Sequence, residues 1–163
     1  MNSRAGKFTT TTAILLLLVA IGSSVSIIRA QSTNSIESER GTYATFQDAI
    51  DDAQNGDVLT ITSGTHNGNF VITKSITVIG NGWPVFDGGG DGNVITVEAS
   101  DVAISGLVIQ NSGGTLNSED AGIEVNAPNV TIEGNRIQDT LFGVYLKQAP
   151  FGVIRNNVIT GMD

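Results

Sequence analysis

The chain has no cysteine, a single histidine and three prolines in 163 residues. Without cysteine it can build neither a disulfide framework nor a thiolate metal site. One imidazole is not a metal site by itself. Aromatic residues make up only 6% of the chain, while glycine (20 residues) and small β-branched residues are plentiful. That composition suits thin, stacked strands better than a helical bundle. Bases are scarce as well: 8 Lys and Arg stand against 16 Asp and Glu, a net charge of −8. Three of the eight bases (Arg4, Lys7, Arg29) and none of the acids lie in residues 1–30, so the remainder carries five bases against 16 acids, a net charge of −11. An acidic surface of this kind argues against nucleic acid and against anionic membranes as partners.

The long apolar run is confined to the N-terminus. Arg4 and Lys7 form a basic start, residues 12–28 are apolar around Leu15 to Leu18, and Gly22, Ser23, Ser24 and Ala30 follow. This is the pattern of a secretory signal peptide, expected to span residues 1–30 and to stand outside the fold. Cleavage is expected after Ala30, although Ile28 departs from the usual small-residue pattern, and cleavage after Ser24 is the alternative. An uncleaved membrane anchor is the competing reading, with an apolar run at the short end for a span. No twin arginine points to export of a prefolded protein. The chain is therefore expected to be periplasmic or extracellular, touching a membrane only through partners or an uncleaved signal.

Residues 101–161 carry an internal repeat. DVAISGLVIQN, NVTIEGNRIQD and FGVIRNNVITG are copies of one unit, with GIEV and GVYL interposed. Val102, Ile104 and Ile109 recur as Val130, Ile132 and Ile137, and Ile132, Asn135 and Ile137 recur as Ile154, Asn157 and Ile159. Ile76 and Val78 begin an earlier copy that places Trp83 opposite Ile109, as a core residue of an early coil. Short alternating strands at such a period predict an all-β fold: a right-handed parallel β-helix, or solenoid, of about four coils over residues 42–163. Residues 31–41 read as a flexible polar leader. Phe46, Ala49, Ile50 and Ala53 fall on one helical stripe, so residues 45–55 are expected to form an amphipathic helix with Thr45 as N-cap and Gly56 at its C-terminal end. Such a helix would cap the open end of the solenoid.

Alternation assigns the faces. Ile95, Val97, Ile123, Val125, Val144 and Leu146 point inward. Thr96, Glu124 and Tyr145 form an outward column. Gly80-Asn81, Gly106-Leu107, Gly134-Asn135 and Asn156-Asn157 read as tight corners, so Asn81, Asn135 and Asn157 are expected to stack as a structural asparagine column with Leu107 in register. Residues 111–120 lengthen one coil and mark a candidate binding face.

In order, the segments FQDAIDDAQNGDVLTI, SGTHNGNFVITKSITVIG, VFDGGGDGNVITV, DVAISGLVIQNSG, DAGIEV, NVTIEGNRI and FGVYL resemble the NosD family, within the wider group of pectin-lyase-like β-helix repeats. The resemblance covers residues 42–161. It implies an exported, non-enzymatic accessory protein of nitrous oxide reductase maturation. By that resemblance its partners are an ABC transporter ATPase and permease and the reductase itself, and copper is handled by the full-length protein. Family members run longer, with more coils, so this chain, stopping at Gly161-Met162-Asp163 just after a strand, is expected to be a C-terminally truncated fragment.

The residues themselves offer little chemistry for that role. His66, in SGTHNGNF, reads as a surface-loop residue and only a weak metal candidate, and Met162 has no soft-ligand neighbours. No cofactor site is expected in this segment, and no catalytic residue is assigned. Asp87, Asp91, Glu98, Glu119, Asp120 and Glu124 fall on loops or outward positions, with Lys74 and Lys147 as the nearby bases. Thr96, Glu124, Tyr145 and Lys147 make a candidate surface patch. Phe142 is expected in the core, with sugar stacking beside Tyr145 as the alternative. The second functional reading is an extracellular carbohydrate-active or glycan-binding β-helix, resembling polysaccharide lyases. The third is a purely structural surface solenoid.

Overall fold

A computed structural model describes residues 35–162. The segment read as a signal peptide, the first four residues of the leader and Asp163 lie outside the described residues. The described chain opens with a hairpin, β1 (Ile36–Ser38) and β2 (Gly41–Tyr43), and one helix, α1 (Phe46–Asp52). Coils follow. The first holds β3 (Val58–Thr62), β4 (Thr65–Asn67) and β5 (Phe70–Ile72); the second β6 (Thr77–Asn81), β7 (Val85–Asp87) and β8 (Ile95–Val97). The third holds β9 (Ala103–Ser105), β10 (Val108–Gln110) and β11 (Ala121–Val125); the fourth β12 (Thr131–Glu133), β13 (Arg136–Thr140) and β14 (Phe142–Leu146). Then β15 (Val153–Arg155) and β16 (Val158–Gly161) begin a fifth.

Equivalent strands pair in parallel to make three sheets: A (β3, β6, β9, β12, β15), B (β4, β7, β10, β13, β16) and C (β5, β8, β11, β14). This is the expected parallel β-helix, with four full coils and part of another. Like stacks on like. Leu59, Val78, Ile104, Ile132 and Ile154 are in register in sheet A, and Ile72, Val97, Val125 and Leu146 in sheet C. Each strand is too short to bury a core alone. Stacking at about 4.8 Å per step makes one continuous apolar column from residues some two dozen apart.

The N-terminal cap is larger than the sequence implies. Residues 35–41 are not a flexible leader. Ile36 is fully buried and pairs with Ile61, so β1 lies antiparallel on the edge of β3, with β2 folded back upon it. The unpaired backbone groups of the first sheet-A strand supply the reason; one inward apolar residue among polar ones left little trace in composition. The helix is also shorter than 45–55. Thr45 Oγ1 accepts from Asp48 N at 3.1 Å as the N-cap, but the chain turns extended at Ala53 (ψ 152°). Gly56 (φ 96°) instead serves the turn into β3, where its N–H donates to Ser75 O at 2.7 Å.

Two further placements differ from the sequence expectation, and both have one cause. In the second coil the chain does not turn at Gly80-Asn81. β6 runs on, pairing Gly80 with Ile61 and Asn81 with Thr62. The left-handed corner falls at Gly82 (φ 84°) and Trp83 (φ 60°). Asn81 is therefore exposed and outside the asparagine column. The inward residue opposite Ile109 is Phe86, fully buried, not Trp83, which is 42% exposed under the Arg136 guanidinium. Three more residues separate Val78 from Phe86 than separate Ile104 from Ile109, so Val78 keeps its register with Ile104 while every offset beyond the corner is displaced.

Candidate functional site

The outer face of sheet C carries the column Val71, Thr96, Glu124 and Tyr145 in register. Thr96, Glu124 and Tyr145 are thus brought together as the alternation requires, but they do not make an open patch. Glu124 is only 6% exposed. Its Oε2 accepts from Asn93 Nδ2 at 2.9 Å and its Oε1 from Asn126 Nδ2 at 2.6 Å, while Asn93 Oδ1 accepts from Ala121 N at 2.7 Å. Glu124 is committed to tying two coils together.

Tyr145 and Lys147 converge on a different acid. Tyr145 OH donates to Glu119 Oε1 at 2.7 Å, and Lys147 Nζ lies 3.1 Å from Glu119 Oε2. The bond from Tyr145, then that from Lys147, holds the Glu119 carboxyl below its ordinary range, and the same carboxylate raises both the Tyr145 phenol and the Lys147 ammonium. Glu119 follows a short 3₁₀ turn (Leu116–Ser118) and sits in the left-handed region at φ 59°. Sequence reasoning placed Glu119 among the loop acids without pairing it, because its partners are 26 and 28 residues away.

The long loop 111–120 is fastened at several points. Gly113 N donates to Gly92 O at 2.8 Å, Leu141 N donates to Ser112 Oγ at 3.0 Å, and Thr115 N donates to the buried Asp120 Oδ2 at 2.8 Å. The loop straps three coils together; β11 beside it is buried at every position. Phe142 is not a core residue. Its ring lies 5.5 Å from that of Tyr145, half-buried outside the apolar cluster. The adjacent Gly143 takes the inward place: a Cβ there would stand 2.3 Å from Ile159 Cγ2. Phe142, Tyr145, Glu119 and Lys147 are the outward group that remains.

A second ladder lies on the outer face of sheet B, where Asn67, Asp87, Gln110 and Gln138 are in register. Asp87 accepts from Gln110 Nε2 at 2.8 Å, from Asn111 Nδ2 at 2.8 and 2.9 Å, and from Gly89 N at 2.9 Å. Gln138 Nε2 continues the ladder to Gln110 Oε1 at 3.1 Å. The bonds from Gln110 and Asn111 hold the Asp87 carboxyl below its ordinary range. Asp91 and Glu98 are exposed.

His66 is not on a surface loop. THN is a strand, and alternation turns His66 inward, stacked 5.1 Å from Phe86 and 6% exposed. Burial pushes its pKa down. It sits on the first coil, whereas Met162 follows the last strand, and among the described residues no three His, Asp or Glu side chains group to hold a metal.

No known protein-family profile matches the chain. Over 103 residues it is 30% identical to the probable ABC transporter binding protein NosD of Pseudomonas aeruginosa, a stretch covering 62% of this chain and 24% of that protein. The chain thus spans about a quarter of the length of the curated relative it matches. In sequence it is similar to a NosD protein, and in structure it is a parallel β-helix.

Proposed function

We propose that this chain belongs to an exported NosD-like accessory protein. In this reading it works with an ABC transporter ATPase and permease in maturing the copper site of nitrous oxide reductase. The supporting observation is the 103-residue similarity to a probable ABC transporter binding protein, carried by a chain of stacked parallel coils. Copper is here a cargo, whose ligands lie on other parts of the assembly. The described coils serve as scaffold and as docking surface. Deleting the gene should leave the reductase without its copper-dependent absorption, and complementation should restore it. A fully copper-loaded reductase in the deletion strain would overturn the reading.

A glycan-binding role is the second reading, favoured by the outward Phe142–Tyr145 pair beside Glu119 and Lys147. Affinity electrophoresis with acidic oligosaccharides and calcium tests it. Retardation that Tyr145→Ala abolishes would support it; unretarded migration would dismiss it.

A further inference from the structure

His66 is the chain's single histidine and heads the inward column of sheet B, followed by Phe86, Ile109, Ile137 and Ile159. Its ring stacks on Phe86, which meets Phe46 of α1 edge-on at 5.0 Å and Phe70 of β5 at 5.4 Å. The imidazole is thus part of the aromatic cluster on which the cap helix sits. Thr62 supplies a backbone partner to the ring, while Nε2 is buried without one. With Thr45, Phe46, Thr65, Asn67 and Phe70, His66 lines a half-open cleft of about 140 Å³.

We propose that His66 is a proton-sensitive latch: as neutral imidazole it seats α1 on the first coil, and protonation unseats the helix. A neutral ring in this place leaves one acceptor, Nε2, unpaired. An imidazolium would add a charge and a second N–H with no acceptor, among phenyl rings. The elements around it offer no compensation. From α1, Asp48 is held by Thr45 at the N-cap, Asp51 accepts from Gln47 Nε2 at 2.9 Å, and Asp52 accepts from Tyr43 OH at 2.6 Å. From β7, Asp87 points to the opposite face and is held by Gln110, Asn111 and Gly89. The flanking strands β3, β4 and β5 have no other titratable side chain. Burial, opposed only by the Thr62 backbone, sets the ring below its ordinary value of 6.5.

The sign follows. The unseated state binds the proton more readily, so seating is unaffected above pH 6.5 and weakens as pH falls below it, levelling off under the seated pKa. Once unseated, a helix of seven residues has no stability of its own. The amides of Ala49 and Ala53, bonded to the carbonyls of Thr45 and Ala49, therefore report the event.

Hydrogen exchange on the full chain between pH 7.5 and 5.5, corrected for intrinsic rates, is the test. Protection at Ala49 and Ala53 should fall by up to about tenfold per pH unit below 6.5, while the amides of β11 hold. His66→Phe should remove this dependence. Equal acid-induced loss in His66→Phe, or undiminished protection of α1 in the wild-type chain, overturns the proposal. The wild-type imidazole titration by NMR decides independently of any variant: a midpoint at or above 6.5 in the folded chain also overturns it.

Discussion

The backbone N–H and the side-chain Nδ2 of Asn135 both donate to one atom, Oδ1 of Asn157, at 2.9 and 3.1 Å. One coil back, Asn135 Oδ1 accepts from Leu107 N at 3.1 Å, and its Nδ2 also reaches Ile104 O at 3.1 Å. At each corner the chain turns through a left-handed residue, Gly106, Gly134 or Asn156, and strand pairing lapses. The asparagine side chains supply the partners that the corner backbone lacks.

Asn135 is 1% exposed, so Asn135→Ala strands the Leu107 N–H and removes a second donor from the Ile104 carbonyl. A loss of about 1–3 kcal/mol in urea denaturation is expected. Asn81→Ala, outside the ladder, should change stability by less than about 0.5 kcal/mol. Equal effects would remove the energetic distinction drawn between the two.

Two glycines are required by close approach. A Cβ on Gly80 would lie 2.2 Å from Gly106 O, and one on Gly143 would lie 2.3 Å from Ile159 Cγ2. Neither has a positive φ, so space alone is at issue. Backbone cannot yield as a side chain can. Gly80→Ala should therefore lower the thermal midpoint more than Gly143→Ala, with the latter costing about 1–3 kcal/mol.

Asp87 gives the acid limb a specific contribution. Its folded pKa lies below the ordinary 3.8, so its stabilisation is present above that value and is lost as pH falls through the folded pKa. Urea midpoints at pH 2.5 and pH 6 should differ less in Asp87→Asn than in the wild type. An unchanged difference would show that the Gln110 and Asn111 bonds are not maintained in solution.

Trp83 is the single tryptophan, and the Arg136 guanidinium lies 4.0 Å from its ring centroid. Arg136→Ala should uncover the indole, increase acrylamide quenching and cost about 0.5–1 kcal/mol. Unchanged quenching would mean that the stacked pair is not populated.

The coils were legible because their signal is local. Apolar residues alternate within each strand, and the same triplet returns two dozen residues later: Ile104, Ile132 and Ile154 follow from the sequence at once. The outer faces were less so. Thr96, Glu124 and Tyr145 do fall in register, yet the chemistry belongs to Glu119, on a loop whose path no periodicity describes. Asp87, Gln110 and Gln138 repeat at offsets of 23 and 28, a polar echo of the apolar repeat that could have been read from the same alignment.

By itself, then, the sequence determined the coil period, the inward columns, the corner asparagines at 135 and 157 and the presence of a capping helix. These depend on alternation and on turn chemistry within a few residues. Only the tertiary structure decided which way a residue faces where the count is broken. Three extra corner residues gave Phe86 the core and left Trp83 outside. Gly143 took the inward place and released Phe142 to Tyr145. A three-residue strand turned His66 inward beneath the cap. Each of these is settled by a neighbour one coil away, since whichever side chain fits against the coil beneath determines the register of the coil above.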